Sequence, residues 1–251
     1  MIKQIKAILL VCIAAFIAGC STKPTPTQAE ISQPAVTTPP ETEMVQEPTE
    51  EVLVPTITAL PTPVVIYQED FGDVNSGWER YNEYDGVLDY ENDQYRMRVN
   101  ATKNLFWVKA AIPDPQSDVA IQVTTYWQES QPDAPFGLIC RLDSNNQYYY
   151  FYITGDGQYG IGKYLTSPGM EQVDLVDDGG NPSDVIRQGV NAENTLLVVC
   201  NGNHLSLTVN QVLLLEVQDD QLSGGELGLL AGVRETPGID VFFDNYTVMR
   251  P

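Results

Sequence analysis

The chain has 251 residues, 34 acidic against 13 basic, and a formal net charge of −21. That balance excludes a surface built to grip nucleic acid, because a phosphate backbone is held by clustered lysine and arginine with counterion release. One histidine and four cysteines leave too little for histidine-based zinc chemistry.

In chain order, Lys3 and Lys6 precede an apolar run from Ala7 to Gly19. The run is shorter than the ~20 residues a membrane-spanning helix needs. It ends in Ile17-Ala18-Gly19-Cys20, which resembles the lipobox of bacterial lipoproteins. The resemblance implies a signal peptide at residues 1–19, cleavage before Cys20 and lipidation of Cys20. The protein would then face the exported side, extracellular or periplasmic, with the membrane as its partner. Each buried methylene contributes about 0.8 kcal/mol, so two or three acyl chains hold firmly where one is marginal. No later stretch supplies 18 consecutive apolar residues.

Residues 21–65 hold nine prolines, ten threonines and six glutamates but no aromatic residue. Such a segment has too little apolar area to offset chain ordering, and it reads with Cys20 as a disordered linker spanning residues 20–65. At polyproline II rise its reach is at most roughly 140 Å, enough for a stalk.

Residues 66–251 carry every tryptophan and tyrosine and all but one phenylalanine, enough for one core and one domain. The pattern there alternates with period two. Strands are predicted around Val65–Phe71, Gln94–Asn100, Leu105–Ala110, Val119–Trp127, Phe136–Arg141, Tyr148–Thr154, Thr195–Cys200, His204–Val209, Val212–Val217 and Val241–Val248. Turn chemistry separates them at Asp143 to Asn146, Gly155 to Gly157, Asn201 to Asn203, Asn210-Gln211 and Ser223 to Gly225. With no amphipathic helix, the expectation is an all-β, two-sheet antiparallel sandwich.

A more specific likeness follows from an ordered series of motifs. These are Glu69-Asp-Phe-Gly-Asp73 with Ser76-Gly-Trp78, Phe136 to Arg141, Tyr148 to Ile153, Leu205 to Asn210, Gly225 to Gly232 and Phe243-Asp-Asn-Tyr246. Together they resemble concanavalin A-like lectin and glucanase domains, which are jelly rolls. Gln211 departs from the glycine that relatives commonly place in an Asn-Gly hairpin turn, which leaves the turn type open.

Once Cys12 has left with the signal peptide and Cys20 is lipidated, Cys140 and Cys200 form an even pair in an oxidising compartment. Both fall in apolar strands, in phase with Leu138 and Val198, and a bridge is predicted; the alternative is two buried free thiols. A bridge closing such a loop stabilises by roughly 4 kcal/mol in the chain-entropy model.

Catalytic motifs are scarce. His204 sits at the start of a hairpin strand beside turn residues, no Gly-x-Ser-x-Gly elbow occurs, and no cysteine is left as nucleophile. Relatives of this fold that hydrolyse glycosides carry Glu-x-Asp-x-Glu or Glu-x-Asp-x-x-Glu on one strand. Here Glu83-Tyr-Asp85 and Glu91-Asn-Asp93 match only in part, since neither supplies the second glutamate. No cofactor motif is present. Asp and Asn at turns suit a structural calcium, and if the first and last strands lie side by side, Asp70 and Asp244 are its candidate ligands.

Aromatic residues carry the functional lead. Alternation in Tyr148–Ile153 places Tyr149, Phe151 and Ile153 on one face and Tyr148, Tyr150 and Tyr152 on the other. With the aliphatic-ended row as core, the tyrosines would line the outer face, joined by Arg141 and extended by Trp107, Trp127, Tyr159 and Tyr164; the alternative is that these rings pack under loops or stabilise cross-strand pairs. Sugars stack on such rings while polar groups bond their hydroxyls. The reading is a lipid-anchored, surface-displayed protein whose sandwich binds carbohydrate without catalysis. Two alternatives stand beside it: a carbohydrate hydrolase using Glu83, Asp85, Glu91 or Asp93, and a structural envelope protein using its sheet face for protein contacts.

Overall fold

The computed structural model describes residues 63–100, 105–166, 172–175, 182–234 and 238–250. The signal peptide, Cys20 and nearly all of the linker lie outside them. Fifteen strands are described. Those before the mid-chain hairpins are β1 (Val64–Glu69), β2 (Tyr81–Glu83), β3 (Gly86–Glu91), β4 (Gln94–Val99), β5 (Leu105–Lys109) and β6 (Val119–Ser130). Next come β7 (Pro135–Leu142), β8 (Tyr148–Thr154), β9 (Tyr159–Tyr164), β10 (Gln172–Asp174) and β11 (Asn194–Asn201). The last are β12 (His204–Val209), β13 (Val212–Gln218), β14 (Glu226–Gly232) and β15 (Ile239–Arg250).

All pairings are antiparallel, and the strands form two sheets. One runs β13-β12-β11-β6-β15-β4-β3-β2, with β1 also on β15; the other runs β10-β9-β8-β7-β14-β5. The long β15 makes this possible: its first half pairs with β4 and its second half with β1, while its opposite edge pairs with β6. The chain is therefore a two-sheet jelly-roll sandwich, as its alternation predicts.

The core lies between the sheets, where Tyr95, Met97, Ile121, Phe136, Leu138, Phe151, Leu229 and Phe243 are all but inaccessible. Cys140 and Cys200 are bonded across it, joining β7 to β11. Two hairpins turn through paired left-handed residues, Asn92-Asp93 and Asn210-Gln211, with φ of 55° and 58°, then 48° and 70°. Both are primed turns matching strand twist, so Gln211 takes a conformation usually left to glycine or asparagine.

A tyrosine-floored groove as candidate functional site

Strand β8 alternates as its sequence predicts, with Tyr149, Phe151 and Ile153 in the inter-sheet core. The other row is not solvent-exposed. Tyr148 and Tyr150 are only 2% and 4% accessible. They form a second apolar cluster with Ile139, Leu142 and Leu230, against which Trp107, Tyr152 and Tyr164 pack. The expectation of an open tyrosine face is thus corrected.

Neighbouring strands supply the reason. Gly162 and Gly160 on β9 stand directly opposite Tyr150 and Tyr152. A Cβ on Gly162 would lie 2.2 Å from the Tyr150 ring, and one on Gly160 would lie 2.6 Å from the Tyr152 ring. The phenols therefore lie down across β9 instead of standing into solvent, and their apolar area is removed from water. On the far side, Gly137 stands in register between Tyr152 and Leu230 and puts no side chain between them. Tyr148 stacks on Tyr164 with ring centres 5.4 Å apart and planes 15° apart. Trp107 reaches to within 6.4 Å of Tyr148 although three strand steps separate them.

Beside this cluster runs a groove of about 480 Å³. Tyr150, Tyr152, Leu230, Gly232, Leu105, Pro135 and Val233 line it, with Gln172, Asp174 and Arg234 as its polar groups. The size falls within the range of sites for small ligands. The Tyr150 hydroxyl donates to Asp174 Oδ1 at 2.6 Å. Burial first, and then this bond to a carboxylate, hold the Tyr150 phenol well above the ordinary tyrosine range, and burial does the same to Tyr148. Both stay neutral, so these rings bring no charge to the floor.

Three predicted members of this face lie elsewhere. Arg141 has φ of 57° at an irregularity in the pairing of β7 with β14. That left-handed residue reverses the alternation. Its guanidinium turns inward, 1% accessible, over the Tyr149 ring. There it donates to the carbonyls of Ser117, Leu222 and Gly202 at 3.1, 2.8 and 2.7 Å. It clamps loops and does not face the groove. Trp127 belongs to β6 and is buried in the inter-sheet core against Gly155, and Tyr159 packs on that same core. Trp107 and Tyr164 do extend the tyrosine row.

Sequence reading missed Asp174, Gln172, Leu105, Leu230 and Arg234. Their signal was indirect: Gly160-x-Gly162 repeats with the same period as Tyr150-x-Tyr152, which marks a row of rings laid over a row of glycines.

The partial acidic motifs do not converge. Asp85 precedes β3 and Glu91 ends it, a separation of roughly 20 Å at strand rise, against about 5 to 5.5 Å for a retaining pair. Glu91 holds Arg96 at 2.7 Å, and Asp85 accepts from the Tyr81 hydroxyl at 2.6 Å. Asp93 is half of a hairpin turn. The Asp244 carboxyl is held above its ordinary range, chiefly by burial, with the charges of Asp70, Glu193 and Asp93 adding to it. Asp70 Oδ1 accepts from the Gly72 amide and Asp244 Oδ1 from the Asn245 amide.

No known family profile matches the chain, and no curated protein does. Solved structures match it in shape. The carbohydrate binding module CBM66 from Bacillus subtilis superposes with a TM-score of 0.54 at 15% identity, over 69% of this chain and 95% of that one. A Bacillus subtilis protein of unknown function with a galectin-like fold gives 0.53 at 12% identity, over 74% and 96%. The laminarinase catalytic domain from Thermotoga maritima MSB8 gives 0.54 at 7% identity, over 76% and 99%. At such identities the likeness is one of fold, and that fold is the concanavalin A-like jelly roll.

Proposed function

We propose that this chain is a carbohydrate-binding protein whose site is the groove on the outer face of the six-stranded sheet. One observation carries the reading: Tyr150 and Tyr152 lie over Gly162 and Gly160 beside a groove lined by rings, aliphatic residues and the polar groups of Gln172, Asp174 and Arg234. The half-buried Tyr152 ring can meet the apolar C–H surface of a pyranose while the buried Tyr150 ring backs it, and because both are fixed beforehand, little is lost in ordering them. The shared fold of a carbohydrate binding module and a laminarinase domain agrees with it.

Binding is favoured over hydrolysis because Asp174 is the one carboxylate among the described lining residues, and glycoside hydrolysis uses two. A glycan array on the full chain tests the reading. Tyr152→Ala, which removes the half-buried ring, should lower the affinity of every glycan that binds. Retention of full affinity by Tyr152→Ala would move the site elsewhere.

The same proposal includes export, cleavage before Cys20, and display on a lipid anchor through the proline-rich linker. Mass spectrometry of the mature N-terminus tests that part, and an unmodified Cys20 would refute it. Asp70 and Asp244 are where a structural calcium would bind, and a rise in melting temperature with added calcium is the test.

A further inference from the structure

Among the described residues Arg234, Arg187 and Arg250 are the arginines without a carboxylate partner, and of the three only Arg234 lines the groove. Arg80, Arg96, Lys109 and Lys163 are each paired with a carboxylate, and Arg141 is spent on three carbonyls. Arg234 is exposed, lines the groove, and has no carboxylate partner among the described residues. It is also the one cation among the described groove residues, while Asp174 is the one anion.

These two charges stand at opposite ends. Asp174 lies on the edge strand β10, and Arg234 continues β14, four strand steps away in the order β10-β9-β8-β7-β14. At the usual strand spacing that is about 19 Å across the sheet, and the register, which sets Asp174 level with Gly228, offsets Arg234 further along the strands. Between them the lining includes Tyr150, Tyr152, Leu230 and Gly232. A ligand lying across the strands thus meets an acid at one end, rings in the middle and a guanidinium at the other end.

Resting on the carbohydrate reading above, we propose that the groove selects a largely neutral glycan carrying a single acidic substituent, a carboxylate or a sulfate, which Arg234 binds. A planar guanidinium matches either oxyanion with two parallel donors. The rest of the molecule limits how many such groups the ligand can bear. A net charge of −21 repels a polyanion, and Asp174 disfavours acid at the β10 end. One acidic group beside Arg234 lies within the roughly 8 Å over which charge acts at physiological salt, so the local cation outweighs the distant field.

The test is calorimetric titration of the full chain with three sets of β-linked trisaccharides: neutral, bearing one terminal uronate, and bearing one sulfate. The acidic sugars should bind about tenfold more tightly than the neutral ones at low salt, as suits one charge-assisted pair at an exposed site. Arg234→Gln should erase that preference, and Arg234→Lys should keep part of it. The preference should also fall as salt is raised. Whether uronate or sulfate gains more identifies the oxyanion. Neutral sugars that bind as well as acidic ones, or a preference that survives Arg234→Gln, would overturn this inference and leave carbohydrate binding standing. Failure of all three sets at millimolar concentration would overturn both.

Discussion

Raising the pH should unfold this domain abruptly, because four tyrosines are sealed in it as neutral phenols. Tyr95 and Tyr246 are fully buried in the inter-sheet core, and Tyr148 and Tyr150 are buried in the outer cluster. In each, burial is the first cause holding the phenol well above its ordinary range. The folded state therefore keeps a proton that the unfolded chain gives up near pH 10. Their contribution is whole below pH 10 and is lost as pH rises above it, since the unfolded state then binds fewer protons. Each buried phenol costs about 1.4 kcal/mol at pH 11 and about 2.7 at pH 12. Four together cost roughly 6 and then 11 kcal/mol, which spans the usual stability of a domain.

Unfolding is thus expected between about pH 11 and 12. The tyrosinate absorbance of these four phenols and the circular dichroism of the sheets should change together in one cooperative step. The double variant Tyr148→Phe with Tyr150→Phe removes two of the four groups without removing rings. It should halve the slope of stability against pH, from about 5 to about 3 kcal/mol per unit. A gradual tyrosinate signal for all tyrosines near pH 10 with the sheets intact would refute the burial argument. So would a Phe variant whose alkaline midpoint does not move.

Two further expectations concern the backbone. Arg141→Met keeps the aliphatic stem but strips donors from the carbonyls of Ser117, Leu222 and Gly202, and should cost about 3 to 5 kcal/mol in denaturant titration; a loss under about 1 kcal/mol would show that the clamp is dispensable. Gln211→Gly should stabilise by about 0.5 kcal/mol, because relief of a left-handed residue worth roughly 1 to 2 kcal/mol exceeds the added freedom of glycine in the unfolded chain. Gln211 is exposed, so no packing is lost, and a lowered denaturation midpoint would refute the strain.

Fold class and core phase were legible because both follow from alternation, and the Cys140–Cys200 bond because an even pair of cysteines fell on inward strand positions. The strands that were not predicted are instructive. Besides the short β2 and β10, they are β3, β9 and β14, which carry Gly86, then Gly160 and Gly162, then Gly228 and Gly232. Glycine has poor strand propensity by itself. Here it is kept in strands because rings or backbone occupy the space a Cβ would need: Phe106 over Gly86, Tyr152 and Tyr150 over β9, and the Val108 carbonyl beside Gly228. Local propensity argues against these strands, and only the partner strand explains them. Arg141 was misplaced for a related reason. Alternation presumes an unbroken ladder, and the break comes from contact with Gly225, where a Cβ would lie 2.4 Å from the Leu142 carbonyl.

Tyrosine burial also changes how the groove must be probed. An exposed binding face would allow Tyr150→Ala to weaken binding at no cost in stability, with Phe151→Ala doing the reverse. In this fold Tyr150 is both floor of the groove and part of an apolar cluster, so its truncation should cost several kcal/mol, as for other large buried rings. Lost binding in that variant would not separate a missing contact from a loosened sheet. Tyr152 is half-buried and Arg234 exposed, so their variants can report on binding while the fold stands. Gly162→Ala acts in the opposite sense: it removes no groove side chain but lifts the Tyr150 ring from its bed and away from Asp174. If flat, fixed rings are what the groove offers a sugar, Gly162→Ala should weaken binding even at temperatures where the domain is fully folded. Unchanged affinity there would mean that the floor's geometry is not what the ligand reads.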